Sequence, residues 1–226
     1  MKEMYWTWKE FIILVGIALV FVPVVMDELV AAWVKNLVEN ELFKGTLMGL
    51  LLAILLTIST YLIALRPFHF SWKEVGVVRF KTSHWKRIIF WTILYIALGI
   101  LYIIGLEMLG FGTDNSKTES VQNNKTFLGF IIAFLSAAVI SPIYEEIFYR
   151  GFIYTWLRQR FSIWPSVITS SFIFMLVHIP TYNTLVFNFF GAFILAWLYE
   201  KTESIVPSMI VHATFNGLAV VLTFLF

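Results

Sequence analysis

Long apolar runs broken by short polar connections dominate the chain. The runs do not alternate with the period of two that marks a half-buried strand. Inside hydrocarbon every backbone amide must be paired within its own segment or within a closed barrel, so unalternating apolar runs are helices. Seven are predicted: Phe11–Val34, Gly45–Leu65, Ile88–Leu109, Phe127–Arg160, Ser162–Ile179, Leu185–Tyr199 and Ser204–Phe226. A membrane span needs about 20 residues. Asp27 and Glu28 interrupt the first run, and the sixth is short, so its ends are expected further out. The pattern predicts an all-α, polytopic transmembrane helical bundle of about seven spans, within a range of six to eight.

The start of the chain, with Lys2, Lys9 and an apolar run from Phe11, resembles a signal peptide. The residues that follow (Val25, Met26, Asp27, Glu28) offer no small-residue cleavage site, so a retained first helix is expected. Two connections are longer than the others. Residues 66–87 carry Arg66, Lys73, Arg79, Lys81, Lys86 and Arg87 against the single acid Glu74, interleaved with Phe68, Phe70, Trp72, Phe80 and Trp85. That mixture suits a headgroup layer. Residues 110–125 are rich in Asn, Ser, Thr and Gly and read as an exposed loop.

Lys and Arg set orientation. With the N-terminus in the cytoplasm, Lys2, Lys9, the six basic residues of the connector, Arg150, Arg158, Arg160 and Lys201 lie inside. Lys35, Lys44, Lys117 and Lys125 then lie outside. A multi-pass protein of the cell membrane with a cytoplasmic N-terminus is therefore expected. The organisation expected is a single integral membrane domain over residues 1–226, with a core at 127–220 and the basic aromatic connector at 66–87.

Composition agrees. Hydrophobic residues make up 60% of the chain and charged residues 13%, against nearly half and one-quarter in soluble domains. The formal net charge of +2 gives no case for nucleic acid. The absence of cysteine excludes disulfides and thiolate catalysis.

Ionisable groups inside a membrane helix are costly and rare, and each is a functional candidate. The C-terminal half holds Glu145, Glu146, Arg150, His178 and His212, joined by the amide of Asn216. Glu146 and Arg150 are spaced for an i, i+4 ion pair, while Glu145 points about 100° away. One acid is thus expected to be neutralised and the other free. The alternative is a solvated patch at the water interface, against which stand the apolar flanks Ile147, Phe148, Phe152, Ile153, Trp156 and Leu157. Phe174 and His178, and likewise His212 and Asn216, share a helix face. A lone membrane histidine is as readily a helix–helix hydrogen-bond donor.

A hairpin centred between Phe161 and Ser162, at the turn marked by Ser162, Trp164 and Pro165, places Glu145 and His178 equally far from the turn. The helix Phe127–Arg160 would be about 50 Å long in a hydrocarbon layer about 30 Å thick, so its Arg158/Arg160 end is expected to project into the cytosol. With Ser204 as N-cap and Pro207 in the first turn, His212 would lie about 12 Å along the last helix. All the polar groups can then share a level in the cytoplasmic half of the bilayer. A carboxylate and an imidazole on one water can strip its proton, and N–H dipoles can hold the oxyanion that follows. Ser141 is the nearest hydroxyl, and Pro142 beside it is expected to mark a kink.

At these residues the sequence resembles the CAAX-protease and bacteriocin-processing family of membrane endopeptidases, also called the Abi family. Three motifs carry the resemblance: Glu145-Glu146-Ile147-Phe148-Tyr149-Arg150, Phe174-Met175-Leu176-Val177-His178 and His212-Ala213-Thr214-Phe215-Asn216. Gly191, Tyr199, Thr202 and Ser204-Ile205 resemble the family's run into the third. The resemblance covers roughly 127–220. It implies an intramembrane endopeptidase of glutamate type. Glu145 with His178 would activate water, and His212 with Asn216 would form the oxyanion site. Glu146 and Arg150 would hold the cavity in shape or contact substrate, with Phe174 supporting them. It implies a metal-free enzyme; a zinc site of Glu145, His178 and His212 is the alternative, without an HExxH signature. The expected partners are a peptide or membrane-protein substrate and the lipid bilayer, with CAAX-type or peptide and bacteriocin processing as the reaction. The alternatives are a non-catalytic bacteriocin-immunity or regulatory binding protein and a proton or solute pathway, the last disfavoured by the lack of an internal repeat.

Overall fold

A computed structural model describes residues 5–113 and 115–226; Lys2, part of the charged start, lies outside the described residues. The described chain is helical throughout, with no strand. Six helices are long and apolar enough to cross a membrane: α1 Trp8–Lys35, α2 Glu41–Phe68, α3 Thr82–Met108, α5 Phe127–Arg158, α7 Tyr182–Thr202 and α8 Val206–Leu225. Two shorter helices, α4 Ser116–Gln122 and α6 Ile163–Leu176, complete the set. The chain is a multi-pass membrane bundle.

The helices begin where the sequence supplies a cap. Thr7 and Glu10 form a capping box on α1. Asn40 caps α2 through the amides of Leu42 and Phe43, and Thr126 caps α5 through Gly129. Asp27 and Glu28 do not break α1. The helix runs through them in a wide, i→i+5 wound stretch over Ile17–Val30 that also accommodates Pro23.

Three boundaries differ from expectation. The sixth predicted helix extends at both ends as expected, to Tyr182–Thr202, and it is α6 that falls short. Its 14 residues span about 21 Å, well under the hydrocarbon thickness. The chain leaves helical geometry before Pro180, which disfavours the α conformation of its predecessor. Residues 110–125 are not an irregular loop: Asn115 caps α4, and the one apolar residue in its last turn, Val121, is buried with Leu42, Ala133 and Val220. The N-cap position of the last helix falls on Ile205, one residue beyond Ser204; the Ser204 hydroxyl still accepts from the first helical amide, Val206, at 3.2 Å while donating to the carbonyl of Val78 at 2.6 Å.

The basic connector packs onto one end of the bundle. Val75 is fully buried, and Gly76, at φ +79°, lies against the Tyr199 ring, where a Cβ would come within 2.7 Å of the phenol oxygen. The amide of Ile205 donates to the carbonyl of Gly76 at 3.0 Å. On the same face the Trp6 indole donates to Ala64, the Trp156 indole donates to Thr7, and Arg160 donates to the carbonyl of Trp6 while lying over the Trp156 ring. The Arg158/Arg160 end of α5 is therefore tied to the rest of the bundle.

Candidate active site

Helix α5 carries the first motif, and its winding decides where the two glutamates point. The helix is wound i→i+5 over Leu135–Ile140 and again over Glu146–Tyr154. Such stretches are rare and recur at functional sites. Pro142 does not break the helix. Its missing N–H falls in register with the wide turn: the amide of Ser141 bonds the carbonyl of Ser136, not Ala137, and the next residue able to reach Ala137, Pro142, has no proton to give. Asn216, on α8, donates its Nδ2 to the stranded Ala137 carbonyl at 3.0 Å. A proline on one helix and an asparagine on another are thus one structural unit.

Every residue from Glu145 to Leu157 is buried. Glu146 is wholly inaccessible, and Arg150 is 2% exposed. Nη1 of Arg150 lies 3.0 Å from Oε1 of Glu146, the ion pair that the spacing predicts. The same carboxylate oxygen stands 2.9 Å from Nδ1 of His212, a contact that the sequence did not reveal. Oε2 of Glu145 lies 3.9 Å from Nε2 of His212. The two acids therefore converge on opposite nitrogens of one imidazole, because residues wound i→i+5 turn less per step than in an α-helix and stay closer to one face. The reading of one neutralised and one free acid holds for the Arg150 pairing only.

His178 follows the last turn of α6, half-buried, with Nδ1 2.8 Å from the carbonyl of Phe174. A carbonyl only accepts, so Nδ1 carries the proton and, in the neutral ring, Nε2 presents a lone pair. Phe174 sits at the centre of the constellation. Its ring centroid lies 4.7 Å from that of His178 and 6.4 Å from that of His212. The Arg150 guanidinium is 4.4 Å away over its face, and Tyr149 meets it edge-on. His178 and His212 flank one ring, and Glu145 stands beside His212. The structure thus brings together Glu145, Glu146, Arg150, Phe174, His178 and His212, with Asn216 on the same face of α8 one turn beyond His212.

Two further side chains border the site. The Ser141 hydroxyl donates to Oε1 of Glu145 one turn away, and Tyr144, adjacent to Glu145 in the chain, is buried. Tyrosine is common throughout this chain, so spacing alone does not single Tyr144 out. Toward the basic face the connector packs against α5. Gly151, about 9 Å along α5 from Glu145, lies so near the backbone of Val75 that a Cβ there would come within 2.5 Å of its carbonyl oxygen.

Among the described residues no group of three or more His, Cys, Asp or Glu side chains is placed to hold a metal ion. Nδ1 of His212 is spent on Glu146, and the Glu145 carboxylate already accepts from Ser141.

Comparison with known proteins finds similarity over the segment that carries this geometry. Residues 127–218 match the family model of the Rce1-like type II CAAX prenyl endopeptidases, the segment that contains all three motifs. The match bears out the resemblance to the CAAX-protease and bacteriocin-processing family. Among individual relatives, the Bacillus subtilis (strain 168) protein named "Putative membrane peptidase YdiL" is 27% identical over 139 residues, 59% of this chain and 56% of that protein. The match thus spans little more than half of YdiL. The "UPF0177 protein YxdF" of Lactococcus lactis subsp. lactis (strain IL1403) is 26% identical over 161 residues, 69% of this chain and 88% of that protein. No solved structure matches the chain.

Proposed function

We propose that this chain is a membrane-embedded endopeptidase of glutamate type, with Glu145 and His178 activating a water molecule. The observation that carries the reading is the convergence of two carboxylates and two imidazoles around the Phe174 ring, each imidazole held at Nδ1 by a fixed acceptor. Fixing Nδ1 orients the ring and leaves Nε2 to work.

In the reaction, Glu145 takes a proton from water while Nε2 of His178 orients it. The resulting hydroxide attacks the scissile carbonyl. The oxyanion is met by Nε2–H of His212, which acts here as the imidazolium, its Nδ1–H donated to the Glu146 carboxylate, and by the second amide proton of Asn216, whose first is committed to Ala137. Collapse of the intermediate breaks the C–N bond, and the proton on Glu145 passes to the leaving amine. Donors fixed before the reaction are worth more than mobile ones, because they pay no reorganisation as charge develops. Ser141 holds the base in register, and Arg150 balances Glu146 and braces Phe174. The substrate is a peptide or the end of a membrane protein. The excess of basic residues on the connector face supports a cytoplasmic N-terminus.

The test is hydrolysis of a peptide library by the purified protein in lipid vesicles, read by mass spectrometry. Glu145→Gln and His178→Ala are each expected to lower the rate by about a hundredfold to ten-thousandfold while inserting normally. A phenotype that survives both substitutions yet is lost on changing lipid-facing residues favours the binding-protein alternative. Exhaustive chelation is expected to leave the rate unchanged; loss on chelation with restoration by zinc overturns metal independence.

A further inference from the structure

Away from this centre, the basic face holds a cavity of about 410 Å³, between the connector and the α7–α8 turn. Arg79, Lys81, His84 and Lys201 line it, together with Glu200 and Glu203. Glu200 is already taken: Arg158 grips both its carboxylate oxygens at 3.1 Å and the Tyr154 hydroxyl donates to one of them. Arg79, Lys81 and Lys201 enter no ion pair among the described residues. Against these three cations only the exposed carboxylate of Glu203 remains, so the lining carries an uncompensated positive charge. Nδ1 of His84 is buried there with no hydrogen-bond partner, and a buried polar atom of that kind calls for a ligand atom.

The position of the cavity names the ligand. It lies where α3 begins and α7 ends, at the rim of the bundle, with Trp85 against Phe80 on one side and Lys201 over Trp197, itself stacked on Trp164, on the other. Aromatic side chains beside cations at the ends of spans mark headgroup depth, and basic pockets between membrane helices hold anionic headgroups. We infer that this cavity binds the phosphate and glycerol of an anionic phospholipid, with Arg79, Lys81 and Lys201 on the phosphate oxygens and His84 donating a further hydrogen bond. The volume suits a headgroup and far exceeds an inorganic phosphate. Because Ser204 and Ile205 are bonded to Val78 and Gly76, the ligand would clamp the connector to the start of α8, the helix that carries His212 and Asn216. The inference stands independently of the peptidase reading.

The experiment measures retention of phosphatidylglycerol by the full-length protein, using native mass spectrometry after extraction from phosphatidylcholine vesicles doped with it. Arg79→Gln/Lys81→Gln is expected to weaken retention by about fivefold for each charge removed. Lys73→Gln/Lys86→Gln, equally basic and in the same connector but outside the cavity lining, is expected to retain the lipid as wild type does. Lys201→Gln supplies an independent variant should the first pair fail to fold. Equal loss in both double variants overturns the site in favour of diffuse surface attraction. Displacement of the lipid by millimolar inorganic phosphate overturns the headgroup as ligand in favour of the free anion.

Discussion

Glu146 is the most informative position to perturb. Its carboxylate is fully buried and one oxygen serves both Arg150, at 3.0 Å, and His212, at 2.9 Å. Glu146→Gln keeps the shape and removes the charge. The amide oxygen can still accept, but Arg150, 2% exposed, is left as an uncompensated buried cation. Breaking a buried pair from one side costs about 3–5 kcal/mol. His212 loses the anion that fixes its ring, and replacing the carboxylate behind a catalytic imidazole by an amide costs up to about ten-thousandfold in rate. The two losses separate in the double variant Glu146→Gln/Arg150→Met, which removes the stranded charge while keeping an apolar stem against Phe174. Unfolding free energy in mixed micelles and peptide hydrolysis in vesicles are the assays. The double variant is expected to recover at least half of the lost stability and none of the lost rate. A single variant that costs less than about 1 kcal/mol, the range of exposed pairs, refutes the burial argument. A double variant no more stable than the single refutes the assignment of the cost to Arg150.

Other outcomes follow from the same contacts. Asn216→Ala strands the Ala137 carbonyl and is expected to cost about 1–3 kcal/mol. Adding Pro142→Ala returns a backbone donor and is expected to recover part of that stability without restoring hydrolysis, as checked in the same two assays. Gly151→Ala forces a Cβ against Val75 in a closed contact and is expected to destabilise by about 1–3 kcal/mol, measured by unfolding in micelles.

Much of this was legible in residue spacing. Apolar run lengths gave the spans, since lipid leaves helices little alternative, and the i, i+4 pairing of Glu146 with Arg150 is visible in any helical reading. What spacing could not give is rotation. The convergence of Glu145 and Glu146 on His212 depends on the wide winding of Glu146–Tyr154, which a uniform period conceals. The bond between Asn216 and Ala137 likewise requires knowing that Pro142 falls in register with the wound turn before it. Helix α4 escaped notice because a single buried valine anchors an otherwise polar segment, and the shortness of α6 because its apolar run continues beyond the point where Pro180 ends the helix. The connector's packing against Gly151 was hidden by its charge, which pointed only to the membrane surface.

The central claim is that Glu145 is the base of a hydrolytic centre, and its most direct test is mass spectrometry of peptides incubated with the purified protein in vesicles, wild type beside Glu145→Gln. The account predicts newly generated termini with the wild type and their loss with the variant, at equal amounts of inserted protein. Identical product patterns from both proteins, or no cleavage by either across a broad library, would contradict it.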